Sequence, residues 1–126
     1  MRLEVLISVV LSTLNQLKVY HWTTKSYAVH KALDELQEKL QDAFDRLVEC
    51  FIGSRDDFDF GIFEGKTVFN SASHVDNIID YVRDRIEVLS SIRVSRDFEN
   101  MPSLQNIIDD IVGDLQQGIY LLRLQK

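Results

Sequence analysis

The chain has 126 residues, 45% of them hydrophobic, which is enough apolar material for one domain with a real core over residues 1–126. One Pro and five Gly favour long helices over a turn-rich β fold, and the single cysteine, Cys50, excludes an intramolecular disulfide and points to a reducing, cytoplasmic setting. A formal net charge of −6 and a pI near 4.9 oppose tight nonspecific DNA binding, which needs clustered Lys and Arg; neither a basic run nor a Lys-rich tail is expected to supply them.

Residues 3–22 read as a first helix. Leu3, Ile7, Val10, Leu14, Leu17 and His21 repeat at helical spacing and form a seam, with His21 where another Leu is expected. Val5, Leu6, Val9, Leu11 and Tyr20 widen the apolar sector, which predicts burial against more than one neighbour, a second subunit included. Polar residues interrupt the stretch too often for a membrane span, and a signal peptide is not expected. The second helix carries Leu33, Leu36, Leu40, Phe44, Leu47 and Phe51 as its core stripe, and Cys50 reads as a small core or interface residue. Between Phe51 and Phe69 the periodicity stops. This segment is long for a link inside a compact domain, and its Phe58, Phe60, Ile62, Phe63 and Val68 need burial, so it reads as a crossover packed along the bundle. Its acidic run, Asp56, Asp57 and Asp59, reads as a solvated loop. A third helix starts near Ser71 or Ser73 and runs to about Val94, with Val75, Ile79, Val82, Ile86 and Leu89 as its stripe and His74 at the surface of its first turn. Pro102 opens a fourth, striped by Leu104, Ile108, Ile111, Leu115 and Leu122. The result is an all-α four-helix bundle with one long crossover between helices 2 and 3.

The residues able to do chemistry concentrate between His21 and Glu49. His21, His30, Asp34, Asp45 and Glu49 form a mixed imidazole and carboxylate set of the kind that binds iron, zinc or manganese. With His30 at the origin of a helical wheel of about 100° per residue, Asp34 falls near 40°, Asp45 near 60° and Glu49 near 100°, whereas the apolar stripe occupies roughly 240–320°. The polar set therefore misses the subunit core. No Glu-x-x-His motif is present, which argues against a di-iron centre inside the bundle. What remains is a site on the helix flank, completed by a neighbouring helix or a second copy of the chain. Structural readings compete with it: His21 as a half-buried histidine bonded to a carbonyl, His30 as a surface residue at a helix start, and Asp45 and Glu49 as a solvated acidic pair served by Arg46 or Lys31.

His21-Trp22, then His30, Asp34 and Asp45-x-x-x-Glu49, resembles the signature of the Dps-like mini-ferritins. The resemblance implies a ferritin-like bundle that assembles with itself, commonly as a shell of twelve. It also implies an iron site at a two-fold interface, with His21, His30 and Asp34 from one chain and Asp45 and Glu49 from its mate. The implied activity is oxidation of Fe(II) by peroxide or dioxygen, with storage of ferric iron. This chain departs from the pattern in the interval of nine residues between its two histidines, which is shorter than the family's, and in Val48 and Cys50, where the family has Ala and Arg. A shortened hairpin could move His21 off such a site. The competing expectation is thus a ferritin-like interaction protein that binds no metal.

Overall fold

The computed structural model describes residues 3–54 and 74–125, with side chains from Val5 onward. Four helices make up the fold: α1 (Leu3–Thr23), α2 (Tyr27–Gly53), α3 (Val75–Arg93) and α4 (Pro102–Arg123), with a 3₁₀ turn at Arg96–Phe98 between the last two. Among the described residues there is no strand.

Local chemistry sets the helix boundaries. Ser26, in extended conformation, caps α2 by accepting a hydrogen bond from the Val29 N–H at 3.2 Å. The cap of α3 is His74, whose Nδ1 accepts from the Asp76 N–H at 3.2 Å. The expected start at Ser71 or Ser73 lies outside the described residues, and His74 proves to be a cap as well as a surface residue. Pro102 occupies the first turn of α4 as expected, where its missing N–H has no helical partner to lose.

α2 packs against both α1 and α4, α3 packs against α4, and α1 touches α3 more lightly. Pairings across the seams give the directions. His21 meets His30 and Leu17 meets Gln37 between α1 and α2; Lys39 meets Gln117 and Arg46 meets Asp110 between α2 and α4. Arg93 clasps Asp109 with two N–H···O bonds of 2.6 and 3.1 Å between α3 and α4. Each of these pairs is antiparallel, so α2 and α3 run in the same direction. The expected crossover between them falls on residues 55–73, outside the described residues.

The core contains every member of the predicted α2 and α4 stripes. In α1 the expected seam is buried at Ile7, Val10 and Leu17 and half-buried at Leu14 and His21, and the buried sector is wider than that seam: Leu6, Val9, Thr13, Gln16 and Tyr20 are buried as well. The cause is that α1 lies in the crevice between α2 and α3, where a broad apolar sector is covered from two sides. Tyr20 meets Tyr81 of α3 edge-on at 5.8 Å, and the Tyr81 hydroxyl donates to the Ser12 carbonyl at 3.3 Å. Much of the sector that suggested a second subunit is thus used inside the protomer. Val5 and Leu11 remain exposed, and so does Cys50, which is not a core residue.

Candidate metal site on the α1–α2 flank

A turn of three residues, Thr24 to Ser26, joins α1 to α2 and sets the two histidines face to face. Their rings stack with centroids 3.8 Å apart and planes 21° apart. Each ring bonds the other's backbone: His30 Nδ1 lies 2.8 Å from the His21 carbonyl, and His21 Nδ1 lies 3.1 Å from the His30 carbonyl. A carbonyl oxygen only accepts, so both Nδ1 atoms donate, and in the neutral rings both Nε2 atoms keep a lone pair. His30 thereby satisfies a carbonyl in the last turn of α1 that has no helical partner. The expectation that His21 is half-buried and carbonyl-bonded is met, with the other histidine as its partner.

This donor chemistry fits a first-row metal, because a backbone bond at Nδ1 is what orients a ligating imidazole and leaves Nε2 available. The stacking limits it. Rings nearly parallel cannot aim both lone pairs at one ion held at about 2.0–2.1 Å, so one ring must turn before both bind the same metal.

Asp34 lies one turn beyond His30 on the same flank and is exposed. Asp45 and Glu49 are exposed as well, but they sit at the other end of α2, fifteen residues or about 22 Å along the helix from His30 to Asp45. Among the described residues, no three His, Cys, Asp or Glu side chains converge to hold a metal within one chain. The structure brings together His21 and His30, sets Asp34 beside them, and leaves Asp45 and Glu49 apart. Neither cation expected to serve the acidic pair does so: Arg46 faces Asp110 at 4.0 Å, and Lys31 lies over the Tyr27 ring at 5.8 Å.

Two features escaped the sequence reading. First, Asp45, Val48 and Glu49 edge an open groove of about 220 Å³ whose other wall is Ile7, Val10, Leu11 and Leu14 of α1. Leu11, off the predicted seam, was the signal for it. Second, the spacing is symmetric: the midpoint of His30 and Glu49 and the midpoint of Asp34 and Asp45 both fall between Lys39 and Leu40. A two-fold axis there, with α2 packed antiparallel on α2 of a second copy, would set the histidine end of one chain against the carboxylate end of the other.

Fold and site together define a four-helix bundle with an exposed imidazole and carboxylate flank on its first hairpin. Residues 21–122 match the family described as a family of unknown function, DUF5856, and the chain belongs to that family. The matched span begins at His21 and contains all five candidate ligands. A protein of Enterobacteria phage T4 described as an "uncharacterized 14.6 kDa protein in mobD-ri intergenic region" is 32% identical over 105 residues, which cover 83% of this chain and 75% of that protein. No solved structure matches the chain. Among the described residues, no helix is long and apolar enough to cross a membrane.

Proposed function

We propose that this chain is a ferritin-like, cytoplasmic protein that binds iron at a site shared between two copies and oxidises Fe(II) there. The observation that carries the reading is the common midpoint of His30 with Glu49 and of Asp34 with Asp45, which gives two separated half-sites a single symmetric way to meet. His21, His30 and Asp34 would hold the metal from one chain, and Asp45 and Glu49 would complete it from the other. Iron enters as substrate and cargo; zinc or manganese would suit the same donors. Oxygen ligands favour Fe(III) over Fe(II), so peroxide or dioxygen oxidises the bound ion downhill. Support for the ferritin-like architecture comes from the shared direction of α2 and α3, a feature of bundles with one long crossover. A closed shell, of twelve in the proteins it resembles, with ferric iron inside, belongs to the same reading.

A second reading is favoured by a specific observation. The two imidazoles already have a structural task, pinning the α1–α2 turn, and an interaction protein without metal would retain them for that alone. Anaerobic Fe(II) titration followed by peroxide, with molar mass from light scattering, separates the two. Saturable binding near one or two irons per chain, fast ferric absorbance and an assembly larger than a monomer are expected. Binding and oxidation that persist unchanged in the His21→Ala, Glu49→Ala double variant would place the site elsewhere, and no binding at all would leave the interaction protein.

A further inference from the structure

The carboxylates of this chain are unevenly distributed. Residues 5–33 and 115–125 contain no Asp or Glu, and they carry Lys18, Lys25, Lys31 and Arg123. Their formal charge of +4 leaves −10 on the rest of a chain whose total is −6. The fold turns this separation in sequence into a separation in space. The α1–α2 turn lies at one end of the bundle, and the pairings of Lys39 with Gln117 and Arg46 with Asp110 set the last turn of α4 level with Ala32 and Leu33 at that same end. On α2 the first carboxylate, Asp34, comes about 10 Å behind Tyr27 along the axis. α3 brings Asp76 and Asp80, which lie beside His74 and Arg83 at 3.6 Å.

The same end exposes apolar surface that the bundle does not use. Trp22, Tyr27 and Leu124, from three different helices, are 69, 65 and 60% exposed. With Tyr27 as the leading edge, Trp22 lies level with His30, about 5 Å back, and Leu124 level with Ala32, about 8 Å back. Lys31, Arg123 and Lys18 follow at about 6–10 Å. Lys18 and Lys31 lie over the Trp22 and Tyr27 rings, 5.9 and 5.8 Å from the centroids. Along the axis the rings lead, the cations trail by about one turn, and the acidic remainder of the chain lies behind them.

An anionic lipid surface presents complementary layers in that order. Tryptophan and tyrosine settle at the headgroup level, and lysines near the surface are drawn to its negative potential. A nucleic-acid strand would match the charge but offers no apolar layer for Leu124. We infer that the protein docks end-on on an anionic lipid surface, with Trp22, Tyr27 and Leu124 among the headgroups and Lys18, Lys25, Lys31 and Arg123 paired with their phosphates. The contact is peripheral, since among the described residues no helix is long and apolar enough to cross a membrane. Lys25, in the turn itself, reaches the phosphates by folding its stem back. Repulsion of the acidic remainder from the same surface holds the bundle axis upright. The inference rests neither on a bound metal nor on a second copy of the chain.

Trp22 is the single tryptophan, so its emission reports on this end alone. The test titrates the full chain, in EDTA at physiological ionic strength, with vesicles of phosphatidylcholine and with vesicles of phosphatidylcholine and phosphatidylglycerol in equal amounts. Flotation with the anionic vesicles alone is expected, with a blue shift of Trp22 emission and quenching by acyl-brominated lipid. Lys18→Gln combined with Lys31→Gln is expected to weaken vesicle binding about thirtyfold, and Leu124→Gln, on another helix of the same end, about fivefold. No flotation with the anionic vesicles overturns the inference. So does flotation that leaves Trp22 emission and the affinities of these variants unchanged, which must use another face. Equal binding to both kinds of vesicle refutes the charge argument and the inference with it. A single-stranded oligonucleotide that binds and shifts Trp22 emission where vesicles do not would assign the end to nucleic acid instead.

Discussion

Replacing His30 with Ala tests the reciprocal histidine clasp directly. The variant loses the 2.8 Å bond to the His21 carbonyl and the 3.8 Å ring stack, and it leaves His21 its own bond to the residue 30 carbonyl. A hydrogen bond contributes about 0.5–1.5 kcal/mol net, and its exposed position at the hairpin puts this one toward the low end because water can replace the lost partner. The stack adds about 0.5–1 kcal/mol by analogy with other ring pairs. His30→Ala is therefore expected to cost about 1–2 kcal/mol, and His21→Ala a similar amount. The stack is lost once in either variant, so the double variant should cost less than the sum by about 0.5–1 kcal/mol. Urea unfolding in EDTA, at fixed protein concentration, measures all four corners of this cycle. A coupling indistinguishable from zero, or single losses below about 0.3 kcal/mol, would mean that the clasp contributes nothing to folding and that its geometry needs another explanation.

Other consequences follow from packing. Gly113, exposed on α4 with no atom within 4 Å of a built Cβ, is expected to gain about 0.5–1 kcal/mol on substitution by Ala, through helix propensity alone. At Gly118 the same Cβ would lie 2.8 Å from Leu36 Cδ2, so Gly118→Ala should show no such gain, and Gly118→Val should lose about 2 kcal/mol in urea unfolding. Ser26→Ala removes the cap on the Val29 N–H and should cost about 1 kcal/mol by the same measurement. Burial pushes the Tyr20 and Tyr81 phenols above their ordinary range. The unfolded chain then releases these protons first, near pH 10, so their contribution is complete below that pH and is lost as pH rises through the folded values. Tyr81→Phe should flatten the alkaline fall in stability, read as the urea midpoint from pH 9 to 11, while giving up the bond to the Ser12 carbonyl.

The helices were legible because their periodicity is strong. All of the predicted α2 stripe is buried, and α4 starts at the proline that marked it. In α1 the seam and its apolar flank were legible, but the burial of Thr13 and Gln16 was not, because so many faces are apolar that spacing alone could not say which two neighbours would cover which side. His74 lies at the surface as expected, but its capping role was not legible: a cap is chosen by which side chain can reach a free N–H, and a histidine nitrogen reached Asp76. In the site, the wheel correctly kept His30, Asp34, Asp45 and Glu49 out of the core. It could not place His21 relative to His30, since a turn of three residues, rather than helical phase, decides that distance.

The short interval between the histidines accounts for both faces of the site. With so tight a turn the rings have no room to splay, so they stack and turn their Nδ1 atoms inward to the two helix ends. That satisfies one terminal carbonyl of α1 and fixes the tautomer that leaves Nε2 open, but it keeps the two lone pairs from converging. A ligand set arranged this way is incomplete for two independent reasons: one ring must turn, and the carboxylates must come from elsewhere. Both are met by the same event if a second copy brings Asp45 and Glu49 to the hairpin, because their charge offers the metal that would offset the lost stack. Metal binding and pairing would then be a single equilibrium, steep in metal and in chain concentration together. Titrations of metal at several protein concentrations distinguish that coupling from a clasp that holds the hairpin and does nothing more: in the first case the apparent metal affinity rises with chain concentration, and in the second any metal that binds does so with the same affinity throughout.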